Sequence, residues 1–234
     1  MTFTLIARCQ RTGMLGIGTA TNALAVGVRV PFIRRRLGAV AIMAMADERL
    51  GPLGLRLLET GYHAVGVIEQ MVVADPYAEY RQFGVVDDDG HAAARTGAEN
   101  KDWAGHRTGP GYVVLGNALA GEQVIAAMEE SFLADPNEDL EERLMRAVEA
   151  GRDAGGQPNG QRSAALLVFI DCLKELPATL VLRPFDFDTL AVVAYQFASD
   201  ERLAAAALPS LLIVVVGLAP VVFLSRVASS ETKR

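Results

Sequence analysis

Short apolar runs separated by polar turns occupy the first two thirds of the chain and predict β-strands. These runs cover residues 2–7, 15–21, 38–45, 80–86, 91–96, 112–115 and 163–169. A polar stretch at 10–13, ending in Gly13, separates the first two runs and fits a hairpin turn. Three aspartates and a glycine at 87–90 join the fourth and fifth runs in the same way. We therefore expect antiparallel strand pairs at both places.

Apolar positions at helical spacing predict four helices. One begins at Gly51-Pro52, and the others cover residues 63–74, 122–133 and 140–150. Pro52 lies in the first turn of its helix, which Gly61 ends. Pro76 stops the second helix and Gly151 marks the end of the last. The mixed order of helices and strands indicates an α+β fold.

The last quarter of the chain has a different composition. No ionisable side chain occurs between Arg202 and Arg226, where Leu, Val, Ile and Ala dominate. At about 1.5 Å per residue, the uncharged run at 203–225 is long enough to cross roughly 30 Å of hydrocarbon. We therefore expect one domain over residues 1–168 and a C-terminal segment over 169–234, with a transmembrane helix at 203–225.

Charge and cysteine content exclude several classes of function. The formal net charge is −6, so the chain lacks the basic excess that attracts phosphates, and we expect no nucleic-acid partner. Cys9 and Cys172 match no CxxC spacing, which predicts neither a disulfide framework nor a zinc site. Residues 1–5 lack the pattern of a signal peptide, so we expect the N-terminal domain in the cytoplasm.

Thr2 is the first candidate catalytic residue. Removal of Met1 before this small residue would leave a threonine hydroxyl beside its own α-amine. An α-amine has an ordinary pKa of about 7.7–8.0, so a useful fraction is neutral in the cytoplasm and can accept the hydroxyl proton. Threonine is also favoured in edge strands, so a purely structural Thr2 is the alternative interpretation.

Asn117 and His106 are the further candidate catalytic residues. Asn117 follows a glycine at a predicted strand end, where its amide can either donate to a site or cap the next helix. His106 lies three residues after Trp103 and is either a site residue or a packed loop histidine. The sequence gives no pattern for binding a cofactor.

Metal binding is not predicted. Adjacent residues such as Asp87, Asp88 and Asp89 cannot all face one ion, and calcium loops space their ligands at alternating positions, so a solvated hairpin tip is the preferred interpretation. His63 and His91 have no companion at the spacing of metal ligands.

Residues 1–168 resemble a family of unassigned biochemical role whose members have the Ntn-hydrolase (N-terminal nucleophile) fold. The resemblance rests on TFTLIAR at 2–8, LAVG at 24–27, GPLGL at 51–55, TG at 96–97, WAGH at 103–106, GNALA at 116–120 and SAALLV at 163–168. It implies an αββα sandwich, in which helices cover two packed sheets. The family would continue the sheet structure after residue 168, so we expect a sandwich truncated at its C-terminal edge.

Three positions depart from the pattern of that family. Where its members have a Gln, an Asn and an Asp-Arg-Arg-Gly-like loop, this chain has Met43, Asp47 and residues 157–160. Lys101 is the only lysine before residue 169 and falls in a predicted exposed turn, so a lysine that assists the nucleophile is not evident.

Residues 166–226 resemble the C-terminal end of an inner-membrane permease subunit of iron(III) ABC transporters. The matching runs are LKELPATL at 173–180, LRPF at 182–185, FDTLA at 187–191, ASDERL at 198–203 and ALP at 207–209. The resemblance implies a bacterial inner membrane location, with the lipid bilayer and membrane helices of other proteins as partners. One span would place Arg226 and the basic C-terminus outside, against the positive-inside tendency, whereas two spans would place them inside.

Both resemblances meet near residue 168, as in a fusion of two gene fragments. The function expected from the whole chain is a membrane-tethered Ntn-hydrolase-like protein that hydrolyses amide bonds through Thr2. One alternative is a transport-associated membrane protein with a passive N-terminal domain. Another is a non-catalytic binding or oligomerising module, which would include homo-oligomers.

Overall fold

The computed structural model describes residues 2–101 and 103–169. Met1 and the predicted C-terminal segment from residue 170 onward, including the helix expected at 203–225, lie outside the described residues. The described part belongs to one compact unit, Met1–Asp171. The domain boundary at residue 168 stays a prediction.

Nine strands and five α-helices form within the described residues. The strands are β1 Thr2–Arg8, β2 Leu15–Thr21, β3 Pro31–Arg34, β4 Gly38–Ala44, β5 Arg81–Asp87, β6 Ala92–Thr96, β7 Gly105–Gly109, β8 Tyr112–Asn117 and β9 Ser163–Phe169. The helices are α1 Val26–Arg29, α2 Leu50–Glu59, α3 Ala64–Ala74, α4 Gln123–Leu133 and α5 Leu140–Asp153. A 3-10 turn, Ala78–Tyr80, precedes β5.

The strands form two antiparallel sheets. The first sheet has the order β7-β8-β1-β2-β9, so β1 is its central strand. The second has the order β3-β4-β5-β6. The N-terminal strand is therefore hydrogen-bonded on both sides, to β2 and to β8.

The described part of the chain has four layers, because the side chains of each strand alternate between the two faces of its sheet. Phe3 and Leu5 of β1 pack against α4 and α5 on the outer face of the first sheet. Ile6 points to the opposite face, where it packs with residues of β4 and β5. On the far side of the second sheet, Val40 and Phe83 pack under α2 and α3. The central layer thus lies between the two sheets, because side chains on a strand alternate between its faces.

Two glycines of β2 let α5 approach the first sheet closely. A Cβ atom at Gly16 would lie 2.5 Å from Leu144 Cδ1, and one at Gly18 would lie 3.2 Å from the Leu144 carbonyl oxygen. Helix α5 therefore occupies the space that side chains at these two positions would fill.

Most predicted elements agree with the structure to within a few residues. All seven predicted strands are present, and the four predicted helices correspond to α2, α3, α4 and α5. Helix α5 continues to Asp153, past the predicted end before Gly151. Four short elements were not predicted, namely α1, β3, β7 and the 3-10 turn Ala78–Tyr80.

The expected fold class requires a correction. We expected an α-helical membrane segment after the sandwich, but no helix among the described residues is long and apolar enough to cross a membrane. The longest of these helices, α5, has 14 residues and carries charged side chains. At about 1.5 Å per residue it is far shorter than a bilayer core. The described residues therefore define an α+β fold of two sheets and five α-helices.

Candidate active site

Thr2 lies at the end of the layer between the two sheets. In the strand register its Cα faces Thr21 of β2 on one side and Asn117 of β8 on the other. All three residues are buried. The Thr2 hydroxyl is 3.1 Å from the Thr21 hydroxyl, and either oxygen can be the donor. Cross-strand partners share a face of the sheet, so three polar side chains meet at this end of the central layer.

Gln82 of β5 connects the second sheet to this polar end. Its side chain is fully buried and accepts a hydrogen bond from Asn117 Nδ2 at 2.9 Å. Gln82 Nε2 lies 2.8 Å from the Gly116 carbonyl oxygen and 2.9 Å from Thr96 Oγ1. The amide therefore satisfies buried groups of both sheets and fixes the position of the Asn117 side chain.

His106 joins the network from β7. Its Nδ1 lies 2.9 Å from Thr96 Oγ1, which in turn contacts Gln82. The residue is exposed at the surface, but partial desolvation of the ring lowers the pKa of His106 below its ordinary value. The imidazole is thus neutral at neutral pH and can accept the Thr96 hydroxyl proton in a hydrogen bond.

Thr2 is one of the lining residues of a small cavity of about 70 Å³. It is lined by Thr2, Thr21, Ala23, Leu24, Val26, Arg29, Val30, Met43, Ala44 and Ala46. Arg29 is the one charged residue among them, and its Nε lies 3.6 Å from a carboxylate oxygen of Glu48. The cavity is therefore mostly apolar, with hydroxyl groups at one end and a guanidinium group at its wall.

A larger cleft of about 790 Å³ shares Ala46 with the small cavity as a lining residue. Its other lining residues are Met45, Asp47, Glu48, Arg49, Leu50, Leu53, Arg56, Ala74, Asp75, Pro76, Tyr77 and Arg81. Charged side chains of both signs contribute to this wall. The two cavities are therefore neighbours at Ala46.

A buried ion pair supports the wall of this cleft. Arg81 is 4% exposed and Asp75 is 7% exposed, and Arg81 donates to Asp75 through Nε and, at 3.3 Å, through Nη2. Arg81 Nη1 also donates to the Met45 carbonyl oxygen, which fixes the segment that leads to Asp47. At Asp47, hydrogen bonds from Arg49 hold the pKa of the carboxyl group well below its usual range.

The predicted site residues are only partly brought together. Thr2 and Asn117 are register partners, whereas the described hydrogen bonds connect His106 to Asn117 only through Thr96 and Gln82. Asn117 donates to Gln82 rather than capping the following helix, whose N-cap residue is Glu122. The Asn117 side chain therefore belongs to the buried hydrogen-bond network around Gln82.

Sequence reasoning missed Gln82 and the Arg81–Asp75 ion pair. Both Gln82 and Arg81 belong to the buried strand β5, where a polar residue in an apolar run is the signal that could have identified them. The interpretation of Asp87 as part of a solvated hairpin tip is wrong. Asp87 is only 4% exposed, because its carboxylate accepts backbone N–H groups of the turn and of α3.

The structure describes all the positions that depart from the pattern of the resemblance. Met43 lines the small cavity and Asp47 lines the adjoining cleft. The loop at 157–160 is held by Asn22, which follows Thr21 and donates to the carbonyl oxygens of two residues of that loop at 2.8 and 2.9 Å. Met43 and Asp47 therefore belong to the walls of these two cavities.

Comparison with known proteins identifies a family of unknown function. The family described as DUF1028 matches residues 2–183. The crystal structure of protein SPO2555 from Silicibacter pomeroyi, itself described as a DUF1028 protein, is 34% identical to this chain and superposes with a TM-score of 0.68. The match covers 72% of this chain and 76% of that chain.

A second similarity concerns a short part of the chain. The Fe(3+)-transport system permease protein FbpB 2 of Haemophilus influenzae is 38% identical over 69 residues, which is 30% of this chain. The match spans only 14% of that permease. This weak, partial similarity gives no support for a transport role or a membrane role of the chain.

Proposed function

The chain belongs to the DUF1028 family of unknown function, and we propose that it is an N-terminal-nucleophile hydrolase in which Thr2 cleaves an amide bond. The observation that carries this proposal is the position of Thr2. It begins the central strand of the first sheet between its register partners Thr21 and Asn117, and it lines a small cavity together with Thr21. Removal of Met1 would create an α-amine on the residue that carries the hydroxyl.

The proposed reaction uses one residue as nucleophile and base. The α-amine of Thr2 takes the proton of the hydroxyl, whose oxygen attacks the carbonyl carbon of the substrate and forms a tetrahedral intermediate. The protonated amine then gives its proton to the departing nitrogen as the C–N bond breaks. An ester on Thr2 remains. Water attacks this ester while the α-amine accepts its proton. The ammonium group then gives that proton to the threonine oxygen as the bond between this oxygen and the acyl carbon breaks, which releases the acid and restores the hydroxyl.

Asn117 is the proposed donor to the tetrahedral oxyanion. Its Nδ2 carries two hydrogens, and Gln82 accepts only one of them. The other hydrogen is available on the register partner of Thr2, and a positioned donor of this kind typically contributes about 10²–10³ in kcat. Gln82 and His106 are positioning residues, because they reach the site through Asn117 and Thr96.

The adjoining cleft is the proposed path of the substrate. The cavity at Thr2 holds about 70 Å³, which suits a small acyl group, whereas the cleft of about 790 Å³ suits a longer leaving group. Arg29 in the small cavity would favour an acyl group that carries a negative charge. In the part of the chain that the structure describes, the one lysine, Lys101, is exposed and lines neither cavity, so the proposed mechanism uses the α-amine as the base.

Hydrolysis of a panel of N-acyl aminomethylcoumarin amides by the full chain tests this proposal. Thr2→Ala should abolish release of the fluorophore, and Thr2→Ser should retain part of it, because serine keeps the hydroxyl and the amine in the same relationship. Both variants keep a small second residue, so removal of Met1 is unaffected. Thr108→Ala is the matched control, since Thr108 is an exposed threonine of β7.

Two results would contradict the proposal. One is hydrolysis that is equally fast in Thr2→Ala and in the unmodified protein. The other is saturable binding of the panel compounds without turnover in any preparation that has lost Met1. The second result would favour a binding module that uses the cleft beside Arg81.

A further inference from the structure

Two histidines far apart in the sequence meet at the tip of the β5–β6 hairpin. His63 is the N-cap residue of α3, and His91 directly precedes β6. Their rings lie edge to face with centroids 4.6 Å apart. Asp89 belongs to the same turn, and ligand atoms of these three residues all lie within 4.8 Å of one another. We propose that His63, His91 and Asp89 bind a divalent first-row transition metal ion such as Zn²⁺.

The buried carboxylate of Asp87 contacts both imidazole rings. Its Oδ2 lies 3.0 Å from His91 Nδ1 and 3.4 Å from His63 Nδ1. His91 can therefore donate its Nδ1 hydrogen to this carboxylate, which leaves its Nε2 lone pair for a metal ion, whereas the longer His63 contact is electrostatic. Metal-binding histidines commonly donate their second ring nitrogen to a carboxylate in this way, because the contact fixes the tautomer and the ring orientation.

Backbone hydrogen bonds hold Asp87 itself in place. Its Oδ1 accepts the N–H groups of Asp89 at 3.1 Å and of His91 at 2.8 Å, and its Oδ2 accepts the Ala64 N–H at 3.2 Å. Gly90 has a φ of 87°, which permits the tight turn between the ligands. The carboxylate is thus fixed to both elements that supply the histidines, and the site is built on a rigid frame.

The set of ligands selects the class of ion. Two imidazole nitrogens and one carboxylate oxygen suit Zn²⁺ and its neighbours, with a fourth position left for water or another ligand. Ca²⁺ and Mg²⁺ prefer sites made only of oxygen atoms. His63 and His91 side chains are 66% and 55% exposed, so small rotations can bring their nitrogens to bonding distance without disturbing the core.

This cluster is separate from the candidate active site. Gln82 lies near the start of β5 and Asp87 at its end, so the two places are about 17 Å apart along the strand at about 3.3 Å per residue. The metal is therefore not proposed to take part in hydrolysis at Thr2, and its binding can be tested independently of that activity.

Calorimetric titration of the full, metal-free chain with Zn²⁺ tests the proposal. We expect one equivalent to bind, and the same site should give Co²⁺ a visible d–d spectrum. His63→Ala and His91→Ala should each weaken binding by more than about 100-fold, whereas Asp87→Asn should weaken it by about 10–100-fold. The results for His63→Ala and His91→Ala decide the test, because both side chains are exposed and their replacement leaves the fold intact.

The chain offers matched controls for both kinds of ligand. It contains three histidines, and the third, His106, lies outside the cluster. Asp88 is the carboxylate between Asp87 and Asp89 in the sequence, and it faces Arg8 at 4.0 Å. His106→Ala and Asp88→Asn should bind Zn²⁺ like the unmodified protein. Binding well below one equivalent, or an affinity unchanged by both His63→Ala and His91→Ala, would overturn the proposal.

Discussion

Replacement of Gln82 by methionine is the perturbation that tests the buried network most sharply. Methionine has nearly the volume of glutamine but neither donates through an amide nor accepts strongly. In Gln82→Met, Asn117 Nδ2 loses the oxygen that accepts its hydrogen bond at 2.9 Å, and the Gly116 carbonyl oxygen loses its 2.8 Å donor. Both groups lie in buried hydrogen bonds, so water cannot simply replace the amide.

The loss of stability in Gln82→Met depends on the number of buried polar groups that the substitution leaves without a hydrogen-bond partner. An unsatisfied buried donor or acceptor costs about 1–3 kcal/mol, so two of them should lower the free energy of unfolding by about 2–6 kcal/mol. Thr96 and Gly105, the other acceptors of Gln82 Nε2, are only partly buried and contribute less, because solvent can reach them. The expected loss is large for a single substitution that conserves volume.

Urea unfolding of the full chain measures this loss as a lower midpoint with an unchanged slope. Gln70→Met makes the same chemical change at an exposed position of α3 and should change the free energy by less than about 0.5 kcal/mol. Adding Asn117→Leu to Gln82→Met removes one unsatisfied group and should cost less than the sum of the two single changes. A loss below about 1 kcal/mol in Gln82→Met would refute the reasoning.

Two further predictions concern charged groups. Asp75→Asn leaves the buried Arg81 guanidinium without its main partner and should lower the free energy of unfolding by about 3–5 kcal/mol, whereas Arg49→Gln, at a side chain 90% exposed, should be nearly neutral in the same denaturation assay. The pKa of His106 is lower in the folded chain than in the unfolded chain, so the unfolded chain binds a proton more readily as the pH falls. The free energy of unfolding should therefore decrease as the pH drops below about 6.5. His106→Gln should reduce that fall between pH 6.5 and 5, and an unchanged pH profile would contradict the assignment.

The fold was largely predictable because most elements carry a strong local signal. Apolar runs such as β4, and helices with a proline or glycine boundary such as α2, follow from the sequence pattern. The missed elements lack that signal. Helix α1 is a single turn, β3 begins with Pro31, and β7 contains Gly105, Gly109 and no aliphatic residue. Their neighbours in the sheets, rather than their own sequences, determine these strands.

Of the candidate site, only Thr2 could be identified from the sequence, because its hydroxyl and α-amine belong to one residue. Thr2 stands out because it follows Met1, but its pairing with Asn117 depends on the register of strands far apart in the sequence. The histidine cluster was missed for the same reason, since α3 brings His63 to a turn that the sequence presents as solvated aspartates. Spacing along the chain says little about groups that tertiary structure brings together.

Mass spectrometry of the full chain after treatment with a β-lactone tests the central claim most directly. Such an electrophile acylates nucleophilic threonine hydroxyls, so peptide mapping should place one adduct on an N-terminal peptide that begins at Thr2 and lacks Met1. Thr2→Ala should give no adduct at this peptide, because it keeps the amine but has no hydroxyl to acylate. Retention of Met1 throughout the population, or an adduct confined to another residue such as Cys9, would contradict the account.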